Sequence, residues 1–366
     1  MCARRGRLDE AAQHGVAGAR QKRQHDGALG RSPQRDEPNS GVNVASHRDV
    51  GDDADAADPI VSASMALISG GRLAAAVTSA GGLGLIGGGY GDAEWLQREF
   101  DQAEGARVGV GFIIWSLAHK PELLDDALAR QPATVMLSFG DLRPFADRIR
   151  AAGVPLTAQV QNLDHARQAL DAGADVIVAQ GGEAGGHGMS VRSTFALVPD
   201  VVDLVAERSP GTLVLAAGGV ADGRGLAAAL ALGADGVIVG TRFWSSPEAL
   251  VSPRAHQRAI RASGDDTFRT RVYDVVRRLD WPAEYNERAL GNSFLDTWHG
   301  NEAQLWASLP EALSTYEKAV AAQDFDAAAM LVGGAVGRIR QVRPAADIVA
   351  DMARDAAQIV NRSVQR

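Results

Sequence analysis

Short apolar runs alternate with Ala- and Leu-rich helical stretches along the chain from Pro59 onwards. Each run is nearly continuously apolar and ends in Gly or another small residue, as expected for parallel strands that are covered on both faces. The eight runs are PIVSASM (59–65), LGLIGGG (83–89), RVGVGFII (107–114), TVMLSFG (134–140), PLTAQV (155–160), DVIVAQG (175–181), TLVLAAGG (212–219) and GVIVGTRF (236–243). Eight β/α alternations over about two hundred residues indicate a (β/α)8 or TIM barrel rather than an open doubly wound sheet.

The same pattern divides the chain into three segments. Residues 1–57 contain almost no large apolar residue, so they cannot bury enough surface to offset the entropy of ordering, and we expect disorder there. Residues 58–264 form the predicted barrel. In residues 265–366 the alternation stops and the sequence becomes Ala-rich, which predicts a helical extension packing on the barrel. This extension is either scaffolding or an oligomer contact, or a cover over the barrel mouth.

Composition excludes several classes of partner. The 366 residues carry a net charge of −8, which gives no basis for affinity to nucleic acid or to an anionic membrane. The only cysteine is Cys2, so an internal disulfide and a CxxC pair are both excluded. No apolar run is long enough to span a bilayer, and the first thirty residues lack the apolar core of a signal peptide. The sequence therefore predicts a cytoplasmic protein. It is also compatible with assembly into a homo-oligomer.

Glycines are concentrated where the seventh and eighth apolar runs end. Gly218 and Gly219 close the seventh run, and Gly240 and Thr241 close the strand-like part of the eighth. In a (β/α)8 barrel the functional site lies at these strand ends, and the seventh and eighth positions are the usual phosphate site. Gly218 and Gly219 alone are explained by a tight turn. Together with Gly240 and Thr241 they favour a phosphorylated ligand or cofactor, because backbone N–H groups can approach a phosphate closely there.

The sixth run leads into VAQGGEAGGHGMS (Val178–Ser190), which holds one histidine among five glycines. Gln180 offers an amide suited to the polar edge of a heterocycle. His187 has an imidazole suited to take a proton from a carbon acid or to steady an anion near neutral pH; its alternative is a solvated turn residue. Four aromatic residues near strand ends either wall a substrate pocket or pack under the helices: Trp115, Phe139, Phe243 and Trp244.

Other catalytic motifs are missing from the sequence. It contains no HExxH, no CxxC and no cluster of carboxylates, which disfavours a metal enzyme. A GxSxG nucleophile elbow and a Walker loop are missing as well.

Three motifs carry a resemblance to a known family. They are GGRLAAAVTSAGGLGLIGGGYG (Gly70–Gly91), ADVIVAQGGEAGGHG (Ala174–Gly188) and LAAGGVADGRGLAAALALGADGVIVGTRF (Leu215–Phe243). Through them the chain from about Asp58 to Val360 resembles the nitronate monooxygenases, which are FMN-dependent barrels. The resemblance implies that FMN lies across the barrel mouth. The residues implied to contact it are Ala63, Met65, Gln180 and Gly185 at the flavin, and Gly218, Gly219, Gly240 and Thr241 at the phosphate.

The resemblance also implies a reaction. Alkyl nitronates, and also nitroalkanes, would be oxidised by O2 to carbonyl compounds and nitrite, with His187 as the active-site base. Two positions depart from the family pattern. Ser64 stands where many relatives have proline, and Gly111 stands where many have an asparagine that contacts FMN.

Two other functions stay open at this point. An FMN-dependent enoyl-acyl-carrier-protein reductase shares the barrel and much of the motif set, and it would use NAD(P)H. A barrel that binds a phosphorylated ligand without redox chemistry is the second alternative.

Overall fold

Eight parallel strands, one from each predicted apolar run, form the centre of the molecule. The structure is a computed structural model that describes residues 58–364. The strands are β1 (Ile60–Ser62), β2 (Leu85–Gly87), β3 (Gly109–Ile113), β4 (Val135–Ser138), β5 (Leu156–Val160), β6 (Val176–Gln180), β8 (Leu213–Ala217) and β9 (Gly236–Val239); β7 (Gly186–Gly188) belongs to a second sheet. Their order is β1-β9-β8-β6-β5-β4-β3-β2, so strands that follow each other along the chain are neighbours.

The two ends of this sheet, β1 and β2, meet through Leu83. The N–H of Ser62 donates to the carbonyl of Leu83 at 2.9 Å, and the N–H of Leu83 donates to the carbonyl of Ile60 at 3.0 Å. Val61 and Leu83 form a parallel bridge at the same place. These contacts make the sheet a nearly closed barrel, which confirms the predicted (β/α)8 fold.

Alternation along each strand decides which side chains reach the barrel interior. In β6, Ile177 and Ala179 pack in the layer between strands and helices. Val176 and Val178 pack in the interior with Val61, Leu215 and Ile238 from neighbouring strands. Because successive side chains of a strand point to opposite faces, Gln180 lies on the interior side, at the carboxyl end of β6.

Helices surround the barrel. Those packed around the strands are α1 (Gly71–Ser79), α2 (Ala93–Gln102), α4 (Glu122–Ala129), α5 (Arg143–Ala151), α6 (Leu163–Asp171), α7 (Thr194–Arg208) and α8 (Gly223–Ala231); the short α3 (Ile114–Leu117) and α9 (Thr241–Trp244) follow β3 and β9 directly. Several begin at a side-chain cap. Asn162, for example, accepts from the N–H of His165 at 2.8 Å at the start of α6, which satisfies one of the free donors of the first turn.

The segment after β9 contains helices and two further strands. The helices are α10 (Pro253–Arg261), α11 (Val272–Arg277), α12 (Ser293–Trp298), α13 (Glu302–Ala307), α14 (Leu309–Ala322) and α15 (Ala345–Val364), with 3-10 turns at Gly264–Asp266 and Gly334–Arg338. Strands β10 (Thr267–Thr270) and β11 (Asn286–Leu290) pair antiparallel, and β11 also pairs antiparallel with β7. The sequence predicted only helices in this segment, and the two strands were not expected.

The last helix belongs to the barrel itself. Ile348, Val349 and Met352 of α15 are buried in the same cluster as the strand and helix residues of the barrel, and α15 packs on α8 and α1. Residues between α9 and α15 are therefore an insertion between the eighth barrel strand and the helix that completes the ring.

Two further expectations concern the first 57 residues and membrane-spanning helices. The predicted disorder of residues 1–57 lies outside the described residues. Within residues 58–364, none of the helices combines the length and the apolar character that a bilayer crossing needs.

Candidate active site

The structure brings all nine residues predicted from the sequence to one cavity at the carboxyl ends of the barrel strands. They are Ala63, Met65, Gln180, Gly185, His187, Gly218, Gly219, Gly240 and Thr241. They meet because the carboxyl ends of all strands of a parallel barrel lie at the same face. The inserted segment covers part of this face, since Arg277, Trp281 and Gly333 also line the cavity.

Backbone donors are gathered on one side of the cavity. Gly218 and Gly219 have φ values of +106° and +76°, a left-handed backbone that favours glycine. Among the described residues, the N–H groups of Gly218, Gly219 and Gly240 have no hydrogen-bond acceptor. The hydroxyl oxygen of Thr241 accepts from the N–H of Gly333 at 2.9 Å, which leaves its own proton to donate. Such a set of donors suits the oxygens of a phosphate.

Glycine at position 240 keeps the cavity floor open. A Cβ there would lie 3.5 Å from the Cβ of Ala63 and 3.7 Å from the sulfur of Met65, both of which line the cavity. A larger side chain would therefore extend over the floor. The residues present form a cradle of backbone donors and open space that fits a phosphate-bearing group.

Gln180 and Gly185 shape the loop that carries His187. The Gln180 side-chain oxygen accepts from Gln161 at 2.9 Å and from Gln159 at 3.2 Å, and its amide nitrogen donates to the carbonyl of His187 at 3.1 Å. One N–H of this amide is left for a ligand. At Gly185 a Cβ would lie 2.4 Å from the nitrogen of Gly333, so only glycine lets the inserted segment pass there.

His187 is held by the carboxylate of Asp274, which the sequence analysis did not single out. His187 itself lies in β7, directly opposite Glu287 of β11. Its Nε2 is 2.9 Å from Oδ1 and 3.1 Å from Oδ2 of Asp274, which lies in α11. Nδ1 has no partner among residues 58–364 and is not sealed from solvent. Because His187 lines the cavity, Nδ1 is the ring nitrogen available to a ligand there.

Burial sets the electrostatics of this pair. The pKa of Asp274 is raised to about 7 by removal of the carboxylate from water, and burial lowers the pKa of His187 to about 3. Glu287 is fully buried, which raises its pKa, and its Oε2 accepts from Arg277 Nη2 at 2.7 Å. Since a proton on one partner of a close buried pair changes the pKa of the other, His187 and Asp274 titrate as one unit.

Aromatic rings enclose His187. The Trp281 ring stacks on the imidazole with centroids 3.4 Å apart and planes 6° apart. Phe139 meets both rings edge-on, at 6.4 Å from His187 and 5.1 Å from Trp281. Of the four aromatic residues proposed from the sequence, Phe139 and Trp244 line the cavity; Phe243 is buried in the barrel core, and Trp115 packs against Trp281.

Two carboxylates that are distant in sequence come together beside His187. His187, Asp274 and Glu287 place three potential metal-ligand atoms within 4.8 Å of one another. They are separated by 87 and 13 positions along the chain, so no spacing motif marks them. Arg277 contacts both carboxylates, at 3.5 and 2.7 Å, and thus supplies a positive charge to the cluster.

Known proteins are similar to this chain over most of its length. A family model described as nitronate monooxygenase matches residues 52–150 and 124–355. Nitronate monooxygenase npaC of Metarhizium robertsii is 35% identical over 83% of this chain and 92% of its own length.

Two solved structures share the fold over most of both chains. FabK from Thermotoga maritima superposes with a TM-score of 0.73 at 30% identity, covering 84% of this chain and 95% of its own. Nitroalkane oxidase from Streptomyces ansochromogenes superposes with a TM-score of 0.70 at 27% identity, covering 83% and 97%. The chain therefore belongs to the nitronate monooxygenase family and is a flavin-dependent oxidoreductase.

Proposed function

We propose that this protein binds FMN across the barrel mouth and oxidises alkyl nitronates with O2 to carbonyl compounds and nitrite, and that it also accepts neutral nitroalkanes. The observation that carries the proposal is the placement of His187. Its Nε2 is fixed by Asp274 at 2.9 Å, and its Nδ1 is left for a ligand in the cavity that the glycine cradle borders.

The residues around the cavity divide between the two parts of FMN. The backbone N–H groups of Gly218, Gly219 and Gly240 and the Thr241 hydroxyl would hold the phosphate. Ala63, Met65, Gln180 and Gly185 would lie at the flavin ring. Bound there, the flavin supplies the electron transfer between the nitronate and oxygen, while the protein supplies orientation and proton handling.

The protonation state of the His187–Asp274 pair determines what Nδ1 does. Without the shared proton, Nε2–H donates to the carboxylate and Nδ1 presents a lone pair, which removes the α-proton of a neutral nitroalkane. With the proton added, Nδ1 carries hydrogen and donates to a nitronate oxygen. Asp274 thus fixes the ring orientation and the tautomer that each role needs.

Aromatic neighbours keep water from one face of the imidazole, while Nδ1 stays accessible from the cavity. Trp281 covers one face of the ring, and Phe139 and Tyr285 pack around Trp281 with centroid distances of 5.1 and 6.3 Å. An apolar surround of this kind strengthens the hydrogen bonds that His187 makes to a substrate.

The test begins with the purified protein. FMN should be released on denaturation and identified by mass spectrometry. The yellow protein is then mixed anaerobically with ethyl nitronate and, separately, with NADH or NADPH. We expect ethyl nitronate to bleach the flavin and, in air, to yield acetaldehyde and nitrite. Bleaching by a pyridine nucleotide alone would reject the proposal in favour of the enoyl reductase.

The reductase alternative is retained because the chain is as similar to FabK from Thermotoga maritima as to nitroalkane oxidase. The non-redox alternative predicts a colourless protein that does not take up FMN. The same preparation therefore separates all three functions.

A further inference from the structure

Arg277 is a partly buried cation that lines the cavity together with His187. It ends α11, and its Nε donates to the carbonyl of Tyr273 at 2.9 Å. Its Nη2 donates to Glu287 at 2.7 Å and contacts Oδ1 of Asp274 at 3.5 Å. These contacts fix the plane of the guanidinium, because a carbonyl and two carboxylates hold two of its three nitrogens.

The third nitrogen is not used by the protein. Within the described part of the chain, Nη1 of Arg277 has no hydrogen-bond partner, and it is not sealed from solvent. The side chain is 23% exposed and lines the cavity. Two N–H donors of a permanently charged group therefore have no acceptor among the described residues, on a side chain that lines the cavity.

His187 and Arg277 both line the cavity and are linked through Asp274. Oδ1 of Asp274 is 2.9 Å from His187 Nε2 and 3.5 Å from Arg277 Nη2. One carboxylate thus holds both side chains at the lining of the same cavity.

We propose that Nη1 of Arg277 binds a negatively charged oxygen of the substrate, so that the site selects the anionic nitronate over the neutral nitroalkane. This inference rests on the proposed function for the identity of the anion. The charges of the cluster do not oppose it, because Glu287 offsets Arg277 and the His187–Asp274 pair is neutral when it holds the shared proton.

Other charged groups surround this cluster and affect the balance. Tyr90 lies near Arg277 and Glu287 and stays neutral, since burial raises its pKa to about 12. Arg269 and Arg271 act on His187 from β10 and from the turn before α11. They add positive potential, which favours an anion rather than opposing it.

The experiment compares Arg277→Met/Glu287→Gln with Glu287→Gln in the FMN-loaded enzyme. The double variant removes both members of the Arg277–Glu287 ion pair, so neither is left without the other, and Asp274 keeps its contact with His187. We expect its KM for ethyl nitronate to be about 10- to 100-fold above that of Glu287→Gln, as for loss of a charge-assisted hydrogen bond. The KM for neutral nitroethane should differ much less between the two.

A second probe is independent of turnover. Nitrate is a planar oxyanion of similar shape that the enzyme cannot oxidise. We expect it to perturb the flavin absorbance of the wild type and to compete with ethyl nitronate, and to do neither in the double variant. Arg277→Lys keeps Glu287 paired, so it should fold even where the double variant does not. Its single ammonium is occupied by Glu287, and it should also lose nitrate binding.

The outcomes separate this proposal from the function on which it rests. The role of Arg277 would be overturned if the ratio of KM for ethyl nitronate to KM for nitroethane, and nitrate binding, were the same in all variants. The proposal of nitronate oxidation would then remain intact. Should the wild type fail to oxidise ethyl nitronate yet bind nitrate through Arg277, the anion site stands and the proposed substrate is wrong.

Discussion

Ser64 and Gly111 share one space at the floor of the cavity. A Cβ on Gly111 would lie 2.2 Å from Ser64 Oγ and 2.4 Å from Ser64 Cβ, closer than atoms can approach. Both positions are among those at which the sequence analysis expects a departure from the family pattern. Their departures are thus linked, because the Ser64 side chain takes the volume that a side chain at position 111 would need.

Adding a methyl group at position 111 should therefore be costly only while Ser64 is present. Gly111→Ala should lower the free energy of unfolding by about 2 kcal/mol, as other overpacked core sites do, and should weaken FMN binding. Ser64→Gly/Gly111→Ala should recover most of both losses. Chemical denaturation and FMN fluorescence titration of the apoprotein measure the two effects.

Gly211→Ala is the matched control for this substitution. A Cβ there has nothing within 4 Å, so we expect a change within about 0.5 kcal/mol. If Ser64→Gly fails to rescue Gly111→Ala, the two positions are not coupled.

Asp274→Asn should change the pH dependence of the reaction. The His187–Asp274 pair gains its shared proton as pH falls through the raised pKa of Asp274, about 7. The base form is present above that pH, so kcat/KM for neutral nitroethane should fall below it. An amide cannot take up the proton, so the variant should lose this inflection and about 100-fold or more of kcat/KM on nitroethane.

The anionic substrate provides the internal control for this prediction. Ethyl nitronate has already lost the acidic α-proton, so its oxidation needs no base and should not decline as pH falls through 7. A wild-type profile for nitroethane that is flat between pH 6 and 8, or an unchanged inflection in Asp274→Asn, would contradict the assigned role of the pair.

Trp281→Ala should expose His187 to water. Desolvation is the largest cause of the lowered pKa of His187, so loss of the stacked ring moves that pKa upward, toward its ordinary value. NMR titration of the imidazole in the wild type and the variant measures the shift. The lost packing should also lower the free energy of unfolding by about 3–5 kcal/mol.

Trp306→Ala removes the same side chain from a site that is 57% exposed. It should leave the imidazole titration unchanged and alter stability by less than about 1 kcal/mol. A His187 pKa that stays the same in Trp281→Ala would show that the stacked ring does not control the hydration of His187.

The barrel half of the site could be predicted from the sequence because it depends on local signals. Each apolar run ends in small residues, and parallel strands bring those ends to one face, so Gln180, Gly218 and Gly240 are placed without knowledge of tertiary contacts. The apolar runs and the small residues that end them are sufficient for this result.

The inserted half could not be predicted in the same way. Asp274 and Glu287 reach His187 only through the pairing of β7 with β11, and two of the three residues in β7 are glycine, which has low strand propensity. The available signal was indirect. Asp274 stands between Val272, Val275 and Val276 in a stretch with helical spacing, which places an acidic residue on a buried helix.

The final helix should matter more to barrel stability than its place at the end of the chain suggests. Ile348 of α15 is 2% exposed in the barrel core, and a Cβ on Gly223 of α8 would lie 2.5 Å from the Cβ of Asp355, so the two helices pack closely. Ile348→Ala should lower the free energy of unfolding by about 2–5 kcal/mol. Val320→Ala, at a site 50% exposed, should cost less than about 1 kcal/mol. Equal costs in urea denaturation would mean that α15 is dispensable to the barrel.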